Sequence, residues 1–374
     1  MQKMIIKTFK LLTALILCVF LFSCGAAKVD KNTSWEVKFL DEYIIPANQE
    51  FENTKIGGLS DLDYDGKFFY TICDLPSSPR VYKFHILLNQ QKIDTVIFDE
   101  VIKINRKSKL AKTKFWDSEG LIYDQKNHNF IISSEGSIKK NKNPFIAVVN
   151  TEGDFLEAYK IPEYFKANAE KGLRNNGVFE GLSKSYDKKG IWAATELPMK
   201  RDGGKVKLYK TKSPIRVTYF DENLKAEKQF AYTLDRLRKI PLLPFGWSGV
   251  SAILTYDDHK FLFLERSFSA GYGSRGNRVR LFDVNAEKAT NTLEIDKIKG
   301  KIHKEVIPAE KNLIFDFNQI KSKLTNRIID NLEGIAFGPT LPNGNQSLLV
   351  ISDNNFSSWT PQLNQIILLE LIKK

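Results

Sequence analysis

Carboxylates that close short apolar runs recur along this 374-residue chain, and they are the side chains best placed to do chemistry. Asp74, Glu135, Glu196, Glu265 and Asp353 each follow such a run. A second set precedes a small residue, as Glu119-Gly120, Glu180-Gly181 and Glu333-Gly334. Two carboxylates about 4 Å apart repel by roughly 4 kcal/mol at an effective dielectric near 20. Acids drawn together therefore need protonation, a basic partner or a bound cation. Hard oxygen donors suit Ca2+ or Mg2+ better than zinc. The expectation is a divalent cation, Ca2+ first, with Asp74, Glu119, Glu135, Glu180, Glu196, Glu265, Glu333 and Asp353 as candidate ligands. The alternative is that each acid accepts backbone hydrogen bonds and only locks neighbouring elements together.

Arginines stand near several of these acids in sequence: Arg80 after Asp74, Arg174 before Glu180, Arg266 beside Glu265. Their forked donors match carboxylate or phosphate equally well, so they either neutralise the acids or hold an anionic substrate beside a metal. Other chemistries fail on inspection. Gly271-Tyr272-Gly273-Ser274-Arg275-Gly276 has the spacing of a dinucleotide loop, but a strand-like run follows it where a helix is required. No Gly-x-Ser-x-Gly elbow supplies a serine nucleophile. His85, His128, His259 and His303 are scattered singly. Carboxylate and metal chemistry, or none, is what is left.

The elements that must position the acids form a repeat. A glycine opens a short strand, a polar turn follows, and an apolar strand ends on an acid. The copies run from Gly58 to Asp74, Gly120 to Glu135, Gly181 to Glu196, Gly249 to Glu265 and Gly334 to Asp353. Asp65-Gly66, Asp187-Lys188-Lys189-Gly190 and Asn343-Gly344 are hairpin turns by composition. Further strand-like runs lie between copies, at 144–150, 215–221, 278–284 and 365–371. Helical periodicity is confined to 161–171 and 313–323. Units of this length hold about four strands each and predict an all-β fold, a β-propeller of five or six antiparallel blades. A sixth blade has room between Glu265 and Glu333, and 365–371 is expected to close the ring by pairing near Trp35–Ile44. A β-sandwich with insertions would leave the repeat unexplained.

The N-terminus reads as a processing signal. Lys3, Lys7 and Lys10 precede the apolar run 11–22, which ends in Leu21-Phe22-Ser23-Cys24-Gly25, a lipidation and cleavage pattern. The expected organisation is a lipoprotein signal peptide at 1–23, a lipidated Cys24 with its linker at 24–34, and one domain at 35–374. Cys73 then remains as the one free thiol, so no internal disulfide is expected. The formal charge of +12 is spread over many short clusters and suits anionic surfaces or substrates. No nucleic-acid-binding motif accompanies it.

The repeats also carry a family likeness. Gly58–Asp74 with Arg80, Asp117-Ser118-Glu119-Gly120, Ser134-Glu135-Gly136 and Arg174–Leu182 occur in that order. Leu264-Glu265-Arg266, Lys311 ahead of Ile314-Phe315-Asp316, Asp330–Gly334 and Ser352–Phe356 follow. In these the chain resembles the phytase-like ("esterase-like activity of phytase") family from about Ile56 to Leu371, departing from it at Cys73, where a serine is common. The resemblance implies an exported, propeller-like protein named for esterase or phytase-like activity, and a monomer is expected. The expectation is a metal-dependent phosphoester hydrolase in which Glu119, Glu180 and Glu333 help bind the cation. Arg80, Arg174, Arg266 and Lys311 would bind phosphate oxygens, with Glu180 central to catalysis. The rival is a non-catalytic binding propeller of the cell envelope. Membrane attachment through Cys24, on the outer membrane rather than the inner, and a small phosphorylated substrate complete the expectation.

Overall fold

The computed structural model describes residues 34–107, 111–209, 211–302, 304–357 and 362–374. The expected signal peptide, Cys24, nearly all of the linker and His303 lie outside them. Five four-stranded antiparallel sheets and one two-stranded hairpin account for the strands. Blade 1 comprises Asp63–Tyr64, Phe69–Cys73, Arg80–Asn89 and Lys92–Lys103; blade 2 comprises Ser118–Asp124, Asn129–Ser134, Phe145–Asn150 and Phe155–Ala158. Blade 3 comprises Phe179–Lys184, Ile191–Thr195, Pro214–Phe220 and Ala226–Thr233. Blade 4 comprises Gly246–Asp257, Lys260–Ser269, Asn277–Asn285 and Glu310–Asp316. Blade 5 takes Asn331–Thr340, Gln346–Asp353 and Asn364–Lys373, and borrows the N-terminal strand Trp35–Ile45 as its outermost member. The first strand of each blade touches the first strand of the next, and blade 5 touches blade 1, so the sheets form a closed ring. It is a five-bladed β-propeller.

Burial explains how the sequence writes this. Strands second in each blade are covered on both faces by adjacent blades, so Phe69–Cys73 and Ile191–Thr195 are wholly buried and read as unbroken apolar runs. The outer strand Lys92–Lys103 alternates buried and exposed positions, the period of a half-covered strand. A separate apolar cluster fills each gap between blades: Tyr70, Ile72 and Trp116 between blades 1 and 2, for example, and Leu264, Leu281 and Leu348 between 4 and 5. At the axis the first strands converge so closely that a Cβ on Gly120 would lie 2.7 Å from the Glu180 carbonyl oxygen, and one on Gly334 2.6 Å from the Asp61 carbonyl carbon. Glycine is required there. The first strands have no sheet partner across the axis, so side chains satisfy their backbone groups instead. Asp61 accepts from the Leu121 N–H at 2.8 Å, Ser133 donates to the Phe179 carbonyl at 3.0 Å, and Ser251 donates to the Leu332 carbonyl at 3.1 Å.

Closure follows the expected pairing, with Trp35 opposite Lys373 and Ile45 opposite Asn364. No sixth blade forms. The described residues from Ala286 to Ala309 contain no strand, and the stretch is held to blade 3 by Arg216, which donates to the carbonyls of Thr292 and Asp296. The two helical expectations also give way. Residues 161–171 hold only the 3-10 turn Glu163–Phe165. Residues 313–316 complete blade 4, and a 3-10 segment, Phe317–Lys323, follows, capped by Asp316 accepting from Asn318 N–H at 3.0 Å. Apolar periodicity there reflects a strand running into a tight turn. Among the described residues no helix is long and apolar enough to cross a membrane.

Candidate functional site

The register of the blades fixes which repeat positions face one another at the axis. Ser118 pairs with Ser134, Phe179 with Thr195 and Leu332 with Ser352, and a bulge follows each pair. The bulge takes up Glu119, Glu180 and Glu333, turning each side chain out of the regular alternation. One step beyond the pair on the second strand stand Glu135, Glu196 and Asp353. Blades 1 and 4 obey the same rule with shifted residues. Leu59 pairs with Cys73 and Val250 with Glu265. Their equivalents of the Glu-Gly step are thus Ser60-Asp61 and Ser251-Ala252, and the equivalents of Glu135 are Asp74 and Arg266. The fourth acid of the expected ring is replaced by an arginine.

The acids gather at the starts of the first strands. One carboxylate oxygen from each of Glu119, Glu135 and Glu180 lies within 4.8 Å of the other two. Arg266 reaches in from blade 4, paired with Glu333 at 2.6 Å and Glu196 at 3.8 Å, hydrogen-bonded to Asn331, and lying 4.3 Å from the Trp247 ring centre. Asn331 also donates to Glu333 at 2.9 Å and to Asp353 at 3.4 Å. Glu135 accepts from Gly177 N–H at 2.5 Å and Val178 N–H at 2.7 Å. Glu119 and Glu180 make no hydrogen bond or ion pair among the described residues, although Glu180 is only 7% exposed.

Burial and mutual repulsion raise these groups out of the ordinary carboxylate range. Burial first, then Glu180 and Asp74, push Glu119 well up; burial, then Glu196 and Glu135, do the same to Glu180. Glu135 rises to about 7 through burial despite its two N–H donors. Glu333 is raised by burial to about 7 and Glu196 to about 8, with Arg266 opposing in both. Asp74 reaches about 8 through burial and the neighbouring Asp353 and Asp117. Asp353 is pushed well up by burial and then by Glu333. Eight carboxylates, counting Asp117, thus influence one another here, and Arg266 contacts two of them, Glu333 and Glu196. The donor set is all hard oxygen, and its charge is far from balanced. Oxygens each about 2.4 Å from one Ca2+ lie no more than about 4.8 Å apart, so Glu119, Glu135 and Glu180 fit a shared divalent cation.

Other expected site residues lie elsewhere. Glu265 faces the gap between blades 3 and 4, where it accepts from Tyr232 at 2.5 Å and from Asp235 N–H at 3.1 Å, and pairs with Lys311. It does not join the axial acids, because alternation sends neighbours Glu265 and Arg266 to opposite sides of their strand. Lys311 is spent on Glu265, with burial lowering its pKa. Arg80 donates to the carbonyls of Ser78 and Lys55 and to the Tyr82 hydroxyl, each at 2.7 Å, bracing the hairpin Glu50–Lys55. Arg174 donates to the carbonyls of Pro198 and Gly203, holding the 198–203 loop. These three cations are engaged by protein oxygens. At the opposite end of the ring the first strands open into a funnel of about 1330 Å3, where Asp63 and Lys184 pair at 2.9 Å.

Residues 54–356 match the family described as "Phytase-like: Esterase-like activity of phytase". The chain belongs to this family. Among solved structures, the phytase-like chain is similar to the glutaminyl cyclase of Myxococcus xanthus, at 9% identity and TM-score 0.40, covering 91% of this chain and 98% of that one. A GH43 β-1,3-galactosidase gives 10% identity and TM-score 0.43, with 88% and 94% covered. The PQQ-bound aldose sugar dehydrogenase of Streptomyces coelicolor gives 10% identity and TM-score 0.37, with 90% and 99% covered. Likenesses this distant carry no role for any residue here. No curated protein matches the sequence.

Reading the repeat by residue type missed Asp61, Asp117, Asn331 and Trp247 as members of the phytase-like site. Asp61 occupies the glycine position of blade 1 and is raised well above the usual range by burial. Asp117 is raised by burial to about 6 and adds to the charge around Asp74 and Glu135. Asp117 stands two residues from Glu119, and Asp61 lies inside the quoted motif Gly58–Asp74, as Asn331 does inside Asp330–Gly334. Asn331 and Trp247 carry no charge, so a reading by titratable residue type passes over both.

Proposed function

We propose that this phytase-like propeller is a metal-dependent phosphoester hydrolase with a divalent cation, Ca2+ first, held by Glu119, Glu135 and Glu180. One observation carries the proposal: two of those three carboxylates, the buried Glu180 and the half-buried Glu119, have no hydrogen-bond or ion-pair partner among the described residues and face further acids. A bound cation would lower the pKa of a coordinated water and shield the charge of a phosphate ester. The protein's own part is positional and protonic. Arg266, pinned by Glu333 and stacked on Trp247, offers a fixed guanidinium beside the cation position. Asp74 and Glu196, both raised to about 8, hold protons near neutrality and suit general acid work at a leaving oxygen. Arg80, Arg174 and Lys311 have no part in this scheme. Attachment through a lipid on Cys24, at the outer membrane, is proposed from the sequence pattern alone. A membrane fraction that keeps the full chain but loses Cys24→Ser would support it.

The near-closure of the acids favours a second reading, a structural cation in a non-catalytic propeller, since Glu135, Glu180, Glu196 and Glu333 are all less than a tenth exposed. A panel of phosphate and carboxylate esters, assayed with and without Ca2+, decides between them. Calcium-dependent turnover that Glu180→Gln abolishes without lowering the calcium-free melting temperature supports catalysis. No turnover on any ester, with calcium still stabilising the fold, rejects it.

A further inference from the structure

Six of the large apolar side chains most exposed to solvent come from two neighbouring loops. Ile240, Leu242, Leu243 and Phe245 are between 51% and 66% exposed, and Leu208 and Tyr209 are 42% and 61% exposed. The loops are joined by a hydrogen bond from Leu237 N–H to the Lys207 carbonyl. Exposed apolar clusters of this kind mark interaction surfaces. The 240–245 loop is rigid rather than collapsed. Leu242 and Leu243 donate to the Ala270 carbonyl, Ala270 donates back to Phe245, and Tyr272 donates to the Ile240 carbonyl. Pro241 and Pro244 restrict the backbone further. The apolar side chains are therefore held outward, away from any core they could join.

The charge around them is mainly positive, although Asp235 pairs with Arg238 at 2.7 Å at the edge of the patch. Segments 203–209, 236–245 and 270–278 contain Lys205, Lys207, Arg236, Arg238, Lys239, Arg275 and Arg278 and no acid. A cavity of about 690 Å3 lies beside the loop, bordered by Tyr272, Arg275, Asn326 and Arg327, with both arginines exposed. We infer that this face docks onto an anionic lipid bilayer, with Ile240–Phe245 entering the acyl boundary and Arg275 and Arg327 meeting headgroup phosphates. Apolar tips ringed by Lys and Arg are what an interfacial contact needs, because burial and charge attraction add. The loop leads into Gly246–Asp257 at its acid end, since the far end of that strand lines the funnel. Docking thus turns the acid cluster toward the lipid headgroups. This contact is independent of any lipid on Cys24.

Residues 34–374 contain every strand of the closed ring and serve for the test. The fragment is sedimented with vesicles of phosphatidylcholine alone, or with about 30% phosphatidylglycerol. Binding is expected only with phosphatidylglycerol, weakening in high salt. It should fall at least about tenfold in Leu242→Asp/Leu243→Asp and in Arg275→Glu/Arg327→Glu, with melting unchanged. A Leu243→Trp variant should show a blue-shifted emission with the anionic vesicles, which keeps the test alive if either double variant fails to fold. Absence of binding to anionic vesicles overturns the inference, as does full binding by the folded double variants. So does a dimer in solution that Leu242→Asp/Leu243→Asp dissociates while vesicles stay unbound, which would make the face a contact between copies.

Discussion

At the scale of single residues, the account turns on charge that the protein does not balance. Among the described residues Arg266 is the one cation in direct contact with the axial acids, and it is committed to Glu333, Glu196 and Asn331. Without a bound cation, the raised acids make stability depend on pH in a definite direction. An acid whose folded pKa lies above its unfolded value near 4 stabilises the fold while protonated, and that contribution is lost as pH rises through the folded pKa. With Glu135 and Glu333 at about 7, and Asp74 and Glu196 at about 8, the cation-free protein should lose stability between about pH 5 and pH 8. Calorimetric melting across that range checks this, and added Ca2+ should raise the midpoint strongly at pH 8 and little at pH 5. Midpoints that rise with pH would contradict it. Glu180→Gln removes one uncompensated charge and should raise the calcium-free midpoint at pH 8 by several degrees, on the order of 1–2 kcal/mol.

At the scale of elements, the inner strands and their bulges do the positioning. Gly120 and Gly334 permit the convergence that brings acids of separate blades together, so Gly120→Ala should cost about 1–3 kcal/mol by overpacking against the Glu180 backbone. Equilibrium denaturation measures it; a change below about 0.5 kcal/mol would mean the axis has slack. This scale also shows what the sequence could tell. The unbroken apolar runs of the second strands and the acids after them are legible, because burial on both faces and a fixed turn length write them directly. The register at the axis is not. Gly58 and Gly249 look like the glycines of the other copies, yet Leu59–Cys73 and Val250–Glu265 pairing places Asp61 and Ala252 at those positions. A bulge slides the frame without altering composition, so Glu265 read as an axial acid and Arg266 as its neighbour, when their places are the reverse.

At the scale of the whole molecule, one strand closes the ring. Trp35–Ile45 completes blade 5 along ten paired positions and covers Ile366 to Leu371, so it ties the first described strand to the last. Its apolar contacts reach Tyr256 in blade 4 through Trp35. A fragment beginning at Pro46 would leave an open sheet edge and bare the cluster it covers. Such a fragment should lose cooperative melting, by calorimetry, and aggregate; a sharp transition within a few degrees of residues 34–374 would show that closure is dispensable. The pairing of the terminal strands is readable from the sequence, because 365–371 is too apolar for an edge. The blade number was not, since the long excursion 286–309 is as spacious as a blade but is held by polar contacts to Arg216 and Asp202.

The most direct test of the central claim is calorimetric titration of Ca2+ into residues 34–374 at pH 8, beside the Glu180→Gln variant. The account predicts a saturable site on the wild type, near one ion per chain, whose affinity falls at least about tenfold, roughly 1.4 kcal/mol, in the variant. No saturable binding of Ca2+ or Mg2+ to the folded wild type, or binding that the variant leaves unchanged, would contradict it.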